Sequence, residues 1–303
     1  MSYLDLRFQA QPGVTARIVE RPTRHLSTDA VAALTADLQA VARTVLGDAP
    51  LDYGAISGDP DRLADSVLTI LYDAAGRPIA FNALAWMDLD LRGRPASVLH
   101  LGLVMVDPTV RSQGLSWVLY GLTCFLLFAR GGLRPIWISN VTQVPAVVGK
   151  VAETFSAVFP NIAGAPRSHD HLSLARAIMR RYRHVFGVGP EAGFDEARFV
   201  ITDAYTGGSD NLKKRFEDAA MHRNEAYNAL CETSLDYGRG DDLLQIGRID
   251  LETARAYIRD AVPRESLGGV LAQSALLALQ ALVLPAWHWL DASRDWGSLR
   301  PAR

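Results

Sequence analysis

The stretch "VDPTVRSQGLS", Val106 to Ser116, decides how this chain is read. A run of apolar residues stops at Pro108, which has no N–H for a strand ladder. A short turn with Arg111 and Gly114 follows, and then a strongly apolar segment begins. The first N–H groups of a helix have no partner within it and carry partial positive charge. A strand–turn–helix of this kind therefore suits phosphate oxygens. Gly114 has no Cβ to hold an anion away from the backbone, Ser116 is small, and Arg111 can add a charge-assisted bond. Neither the Walker pattern nor a dinucleotide GxGxxG is present. The plain alternative is a turn that holds nothing.

Working outward, "ARIVE" (16–20) reads as a first strand, and Ser27 and Asp29 cap a helix to Leu46 with Leu34, Leu38, Val41 and Val45 on one face. Three strands follow, at 66–73, 78–91 and 96–107. Their connections are too short for crossovers, so they form an antiparallel meander. Leu115–Phe128 has almost no polar face and is too short to span a bilayer, which marks a helix buried against a sheet. "PIWISN" (135–140) then returns parallel to the third strand by a right-handed crossover. Residues 144–159 read as a second crossover helix. Beyond lie a basic helix at 175–187, strands at 197–205 and 243–250, and between them a polar, helical insertion at 210–236. The tail, Leu267–Leu290, is a long apolar helix with Trp287 and Trp289 near its end.

Composition sets bounds. The chain has 303 residues, 49% hydrophobic and 21% charged, which is enough to bury a large core. A net charge of −2 gives a nucleic-acid partner no support. Two cysteines, Cys124 and Cys231, are no disulfide framework. CxxC and HExxH are both absent, so metal chemistry has no footing. No signal peptide is evident. These features point to the cytoplasm, with a surface open to the inner membrane face.

Arg111-Ser112-Gln113-Gly114-Leu115-Ser116 resembles the Q/R-x-x-G-x-G/A loop of the GNAT acetyltransferases, with the preceding "VMVDP", the apolar helix and the strand ending in Asn140 in the family's order. It departs from the pattern at Gln113, usually basic, and at Ser116, usually Gly or Ala. The resemblance implies an α/β fold with a mixed sheet: mostly antiparallel, with a splayed parallel strand pair, flanking helices and here a C-terminal apolar helix. It implies acyl-CoA as co-substrate and no metal. Its pyrophosphate would lie on Arg111 to Ser116 and its pantetheine arm along Leu103, Val104 and Val106, with Asn140 and Thr142 at the cleft. Residues 1–255 would form the catalytic domain, with helical insertions near 163–194 and 207–242. Residues 256–303 would form an apolar extension.

His100 stands eleven residues before Arg111, at the spacing where histone-directed relatives carry a glutamate base. An imidazole with an ordinary pKa of about 6.5 suits that work. The tyrosine acid of many relatives has no counterpart between Pro135 and Pro160, which leaves Tyr205, Tyr237 or water. His169, Asp170 and His171 read as a loop or helix cap, Arg176, Arg180, Arg181 and Arg183 as a solvated or lipid-facing basic face, and Cys124 as packing. The apolar tail suits a core or oligomer helix, an interfacial helix or, least, a span, since Gln273, Gln280 and Pro285 interrupt it. The long second half and this tail resemble the lipid-directed N-acyltransferases, such as bacterial ceramide synthase. That implies an amine-bearing lipid acceptor, a sphingoid base. The alternatives are an acetyltransferase for a small polar amine and a non-catalytic CoA-binding module.

Overall fold

The computed structural model describes residues 3–47, 54–111, 113–162, 164, 166–207 and 209–290, with backbone alone for 281–289. The chain opens on a hairpin. Strand β1 (Asp5–Gln11) pairs antiparallel with β2 (Val14–Glu20), two residues longer at its start than expected. Helix α1 (Thr28–Leu46) begins where Ser27 Oγ accepts from the Ala30 amide (3.3 Å), and it buries Leu34, Leu38 and Val41. After a short helix, α2 (Pro60–Leu63), strands β3 (Ser66–Tyr72), β4 (Pro78–Leu91) and β5 (Arg94–Leu101) form the expected antiparallel meander.

Two departures from the expected elements shape the middle of the sheet. The strand expected over 96–107 breaks. It ends at Leu101, and a separate β6 (Val104–Val106) pairs only with β4. Gly102 lies in the break, where a Cβ would collide with the Ala83 carbonyl, so only glycine permits the approach. The apolar helix after the Gly114 turn is not a regular α-helix either. A π turn at Val118–Leu122 precedes α3 (Thr123–Arg130). Within that turn the Leu119 carbonyl accepts from the side-chain amide of Asn82 on β4.

Strand β7 (Ile136–Thr142) returns parallel to β5, with Val98–Leu101 opposite Trp137–Asn140. The second crossover helix, α4 (Pro145–Thr154), is shorter than expected, and Ser156–Phe159 becomes strand β8. Helix α5 (His169–Arg181), strands β9 (Gly193–Asp195) and β10 (Val200–Thr202), helix α6 (Glu225–Ser234), strand β11 (Asp242–Ile249) and helices α7 (Leu251–Ala256) and α8 (Arg264–Leu290) complete the chain. The insertion at 210–236 is helical over α6 and otherwise holds only isolated turns. Among the described residues the fold is thus mixed α/β, with eight α-helices and one eleven-stranded sheet. The strand order is β1-β2-β3-β4-β5-β7-β11-β10-β9, with β6 on β4 and β8 on β11. Among the described residues only β5 and β7 pair in parallel.

The sheet is buried on both faces. Residues of α3, α4 and α8 share one core with Ile18, Leu99 and Ile138. On the other face α1 packs on Leu68, Ile70 and Phe81, and α5 packs on Met87, Val98 and Ile246. Helix α8 seats Val270 and Leu277 in the first core and leaves Leu271, Leu276 and Leu279 exposed. Among the described residues, no helix is long and apolar enough to cross a membrane; the side chains of Pro285, Trp287 and Trp289 lie outside them.

Helix α5 meets one of its sequence expectations and corrects another. His169, Asp170 and His171 form its first turn, where Ser168 Oγ accepts from the His171 amide (3.2 Å) and His171 Nδ1 accepts from the Ser168 amide (3.1 Å). Asp170 pairs with Arg92 (2.6 Å). The basic stretch turns inward at one residue: Arg183 donates to the carbonyls of Met179, Gly189, Pro190 and Ala192, whereas Arg176 grips Glu196 at the surface. Arg176, Arg180 and Arg181 are exposed, as a solvated face requires, with Arg181 over the Tyr182 ring.

Gly121 is where the π turn meets the rest of the molecule. The Tyr257 ring lies against it, held by a bond from Tyr257 Oη to the Trp117 carbonyl (3.0 Å), and a Cβ would overlap the ring. Overpacking of this kind costs about 1–3 kcal/mol. Gly121→Ala is therefore expected to lower unfolding stability by that amount, read as a lower urea midpoint at unchanged m. An unchanged midpoint would show that Tyr257 moves aside freely.

Candidate functional site

Beyond the Leu101–Asn140 pair the parallel strands part. β6 follows β4, while β7 runs on to Thr142 beside β11. The gap holds a cleft of about 280 Å³. Tyr120, Val147 and Val151 line it from the α3–α4 side, and Phe186, Tyr205 and Asp242 from the α5 side, so the opening reaches both faces of the sheet. Of the residues singled out in the sequence, Leu103, Val104, Asn140 and Thr142 line this cleft. The Asn140 amide is already engaged, donating to Gln245 Oε1 (3.3 Å).

The turn before α3 is built by local bonds. Asp107 Oδ1 accepts from the Thr109 hydroxyl (2.7 Å) and amide (2.9 Å), which hold its carboxyl below the usual range. Gly114 has φ +72°, and a Cβ there would meet open space, so the glycine serves backbone conformation rather than room. The Leu115 carbonyl accepts from the amides of Val118 and Leu119 (both 3.2 Å), and the helical pattern starts there. Leu115 is buried, while Arg111, Gln113 and Ser116 are exposed. Ser112 lies outside the described residues. Val106 pairs with Ala80 on β4. Neither Val106 nor the described residues of the turn line the cleft.

His100 is 2% exposed. Its Nδ1 lies 3.1 Å from Ser139 Oγ, and its ring is 5.2 Å from that of Phe186. Burial pushes its pKa down to about 4, so the imidazole is neutral at pH 7. It lines a second cavity of about 80 Å³ on the α5 side, with Tyr182 and His184. The two cavities share Leu84, Gly102 and Leu103, so the break between β5 and β6 is the wall between them.

Of the tyrosines considered as acids, Tyr205 lines the cleft and donates to Asp242 Oδ1 (3.0 Å), whereas Tyr237 bonds the Gln143 carbonyl (2.6 Å) outside the lining. Tyr120 lines the cleft from the π turn. Burial raises the Cys124 thiol to about 12, which fits packing. Gln143 and Asp242 were not anticipated. Burial, with Asp241 adding to it, pushes the Asp242 carboxyl up to about 8 against the pull of Tyr205. The one signal in the sequence is "DDLLQIG", a pair of acids entering an apolar strand. Among the described residues no group of three or more His, Cys, Asp or Glu could hold a metal.

No family model matches the chain. No curated protein matches it either. Solved structures align with parts of it. A point mutant of the BH1408 protein from Bacillus halodurans is 16% identical over 35% of this chain and 71% of its own, with a TM-score of 0.22. A tetramutant of the same protein gives 15%, 38%, 76% and 0.23. A tyrosine-to-phenylalanine mutant of the AtaT toxin, bound to the C-terminus of the antitoxin AtaR and acetyl-CoA, gives 11%, 42%, 75% and 0.24. TM-scores this low define no shared fold.

Proposed function

We propose that the chain is an acyl-CoA-dependent N-acyltransferase of the GNAT type. It moves a long-chain acyl group from acyl-CoA to the primary amine of a lipid acceptor such as a sphingoid base. The observation that carries this reading is the parting of the one parallel strand pair around a cleft lined by Leu103, Val104, Asn140 and Thr142. Unpaired strand backbone at such a gap suits the amides of a pantetheine arm. The turn at Arg111 to Ser116, at the head of the α3 segment, would take the diphosphate. In the reaction the amine nitrogen attacks the thioester carbonyl. The N–C bond forms, the C–S bond breaks, one proton leaves nitrogen and the thiolate takes one up. His100, neutral at pH 7 in the cavity that shares the Leu84–Gly102–Leu103 wall with the cleft, would accept the first of these. Residues 1–255 would carry the chemistry. The exposed leucines of α8, in the extension 256–303, would meet the lipid or the membrane surface that supplies it.

Thiol release from acyl-CoAs of increasing length, acetyl to palmitoyl, tests this against a panel of amines. Turnover is expected with long chains and sphingoid bases. His100→Ala is expected to lower kcat ~10²-fold or more with CoA affinity unchanged. The wild-type acid limb of kcat/KM should lie far below the ordinary histidine range, since the buried imidazole protonates only near pH 4. The small cavity beside His100 favours a second reading, in which the acceptor is a small polar amine. Turnover confined to acetyl-CoA and polar amines would select it. CoA binding without any turnover would leave a non-catalytic module.

A further inference from the structure

Three side chains at the α5 side of the opening are tied into one array. Gln143 follows β7, and its Nε2 donates to Tyr205 Oη (2.6 Å) and to the Leu212 carbonyl (3.2 Å). A backbone carbonyl only accepts, so the amide orientation is determined: NH₂ toward Leu212, Oε1 away from it. The Tyr205 hydroxyl passes its own proton toward Asp242 Oδ1 (3.0 Å). Gln143 and Asp242 are 1% and 6% exposed, and both line the cleft. Gln143 Oε1 is buried with no hydrogen-bond partner. Asp242 has no second hydrogen bond among the described residues.

The array therefore ends in a buried acceptor that lacks a donor, Gln143 Oε1, beside a carboxyl bonded through one oxygen. Buried acceptors without donors are rare in protein interiors, because each forfeits the bonds it made in water. No cation of the chain is bonded to Asp242 among the described residues. Arg239 pairs instead with its neighbour Asp241 (2.7 Å), and Lys213 Nζ donates to the Gly238 carbonyl (2.7 Å). Lys214 and Lys150 line the same cleft with exposed side chains. What is missing is a compact group with several N–H donors and a positive charge.

We propose that Gln143, Tyr205 and Asp242 form a subsite for a primary ammonium group, with Asp242 and Gln143 Oε1 as its acceptors and Tyr205 as the positioning residue that holds both. The inference rests on the acyltransferase reading in one respect: it makes this ammonium the acceptor substrate's. An ammonium brings three donors and a charge, whereas a hydroxyl of the same size brings one donor and none. The subsite therefore selects amines over alcohols. It also tells substrate from product. Acylation turns the ammonium into a neutral amide with a single N–H, which loses the charge and two of the donors. Capture uses the protonated amine and attack uses the neutral one, so a proton must leave between the two events.

The test is binding to the full chain without CoA, with octylamine and octan-1-ol as matched probes, read by calorimetry at pH 7. Wild type is expected to prefer the amine by ~10-fold or more and to release a proton on binding, as the Asp242 carboxyl ionises to form charge-assisted bonds with the ammonium. Asp242→Asn should erase that preference. Tyr205→Phe should reduce it several-fold and leave octanol binding unchanged, which a merely structural loss would not do. Gln143→Leu supplies a second route should Asp242→Asn fail to fold. Equal binding of both probes by wild type, or an intact amine preference in Asp242→Asn or, in its place, Gln143→Leu, overturns the proposal. CoA titration of the same proteins keeps the two readings apart. Amine preference without CoA binding sinks the acyltransferase reading alone, while CoA binding without amine preference sinks the subsite alone.

Discussion

Asp242→Asn is expected to be more stable than the parent at pH 7, by on the order of 2–4 kcal/mol, with the gap closing near pH 4. The sign follows from where the proton sits. The folded carboxyl holds its proton up to about 8, whereas an unfolded one releases it near 3.8. Between those values the folded state binds more protons than the unfolded state, so stability falls as pH rises through the window. Each unit is about 1.4 kcal/mol, and relaxation around the site trims the total. Asparagine has the same shape, keeps an oxygen for the Tyr205 hydroxyl and has no charge to bury. Urea unfolding at pH 4, 6 and 7.5 checks it. A constant difference across that range would mean that Asp242 is ionised and satisfied in the folded protein. The expected result has a functional edge. A carboxyl that weakens the fold at neutral pH is the kind of group retained for binding rather than for stability.

Arg130→Met is expected to cost about 3–5 kcal/mol at pH 7. Glu20 is 3% exposed and ends β2, where its carboxylate accepts from Arg130 Nη2 (2.7 Å) and Nη1, the Leu4 amide (3.0 Å) and Trp86 Nε1 (3.0 Å). Burial alone would raise its pKa, but the bonds and charge of Arg130, with Leu4 and Trp86, hold it below the usual carboxylate range. The pair's contribution is present above the ordinary glutamate pKa and is lost as pH falls through the lowered one. Removing Arg130 strands a buried anion, so the variant's deficit should shrink on acidification as Glu20 takes a proton. Glu20→Gln combined with Arg130→Met should recover most of the loss at pH 7. A double variant no better than Arg130→Met would mean that packing of the arginine stem, not charge, sets the cost.

The sequence made much of this architecture legible and hid the parts that matter most for chemistry. Short turns between apolar runs identified the β3–β5 meander, and the length of the segment after Gly114 required a crossover, so the parallel β5–β7 pair follows. Ser27 marked the start of α1 because its hydroxyl is a good cap. The break after Leu101 was invisible, since "LGLVMV" runs on without a polar residue and Gly102 is needed for a backbone approach that no local pattern reveals. Strand β1 was passed over although "DLRFQAQ" alternates polar and apolar residues, the pattern of a half-buried edge strand. His100 was singled out by spacing, but its depth comes from Phe186 and Ser139, brought in by distant elements. The Gln143–Tyr205–Asp242 array joins residues 62 and 37 positions apart, and no periodicity encodes such a meeting.

The opening between β6 and β7 is lined from both layers of helices. The two layers give that gap unlike walls, with Val147 and Val151 on one side and Tyr205 and Asp242 on the other. On the proposed reading, donor and acceptor would rest against different walls of one gap, so neither has to vacate the site for the other. Transfer would then be direct, without an acylated enzyme between half-reactions.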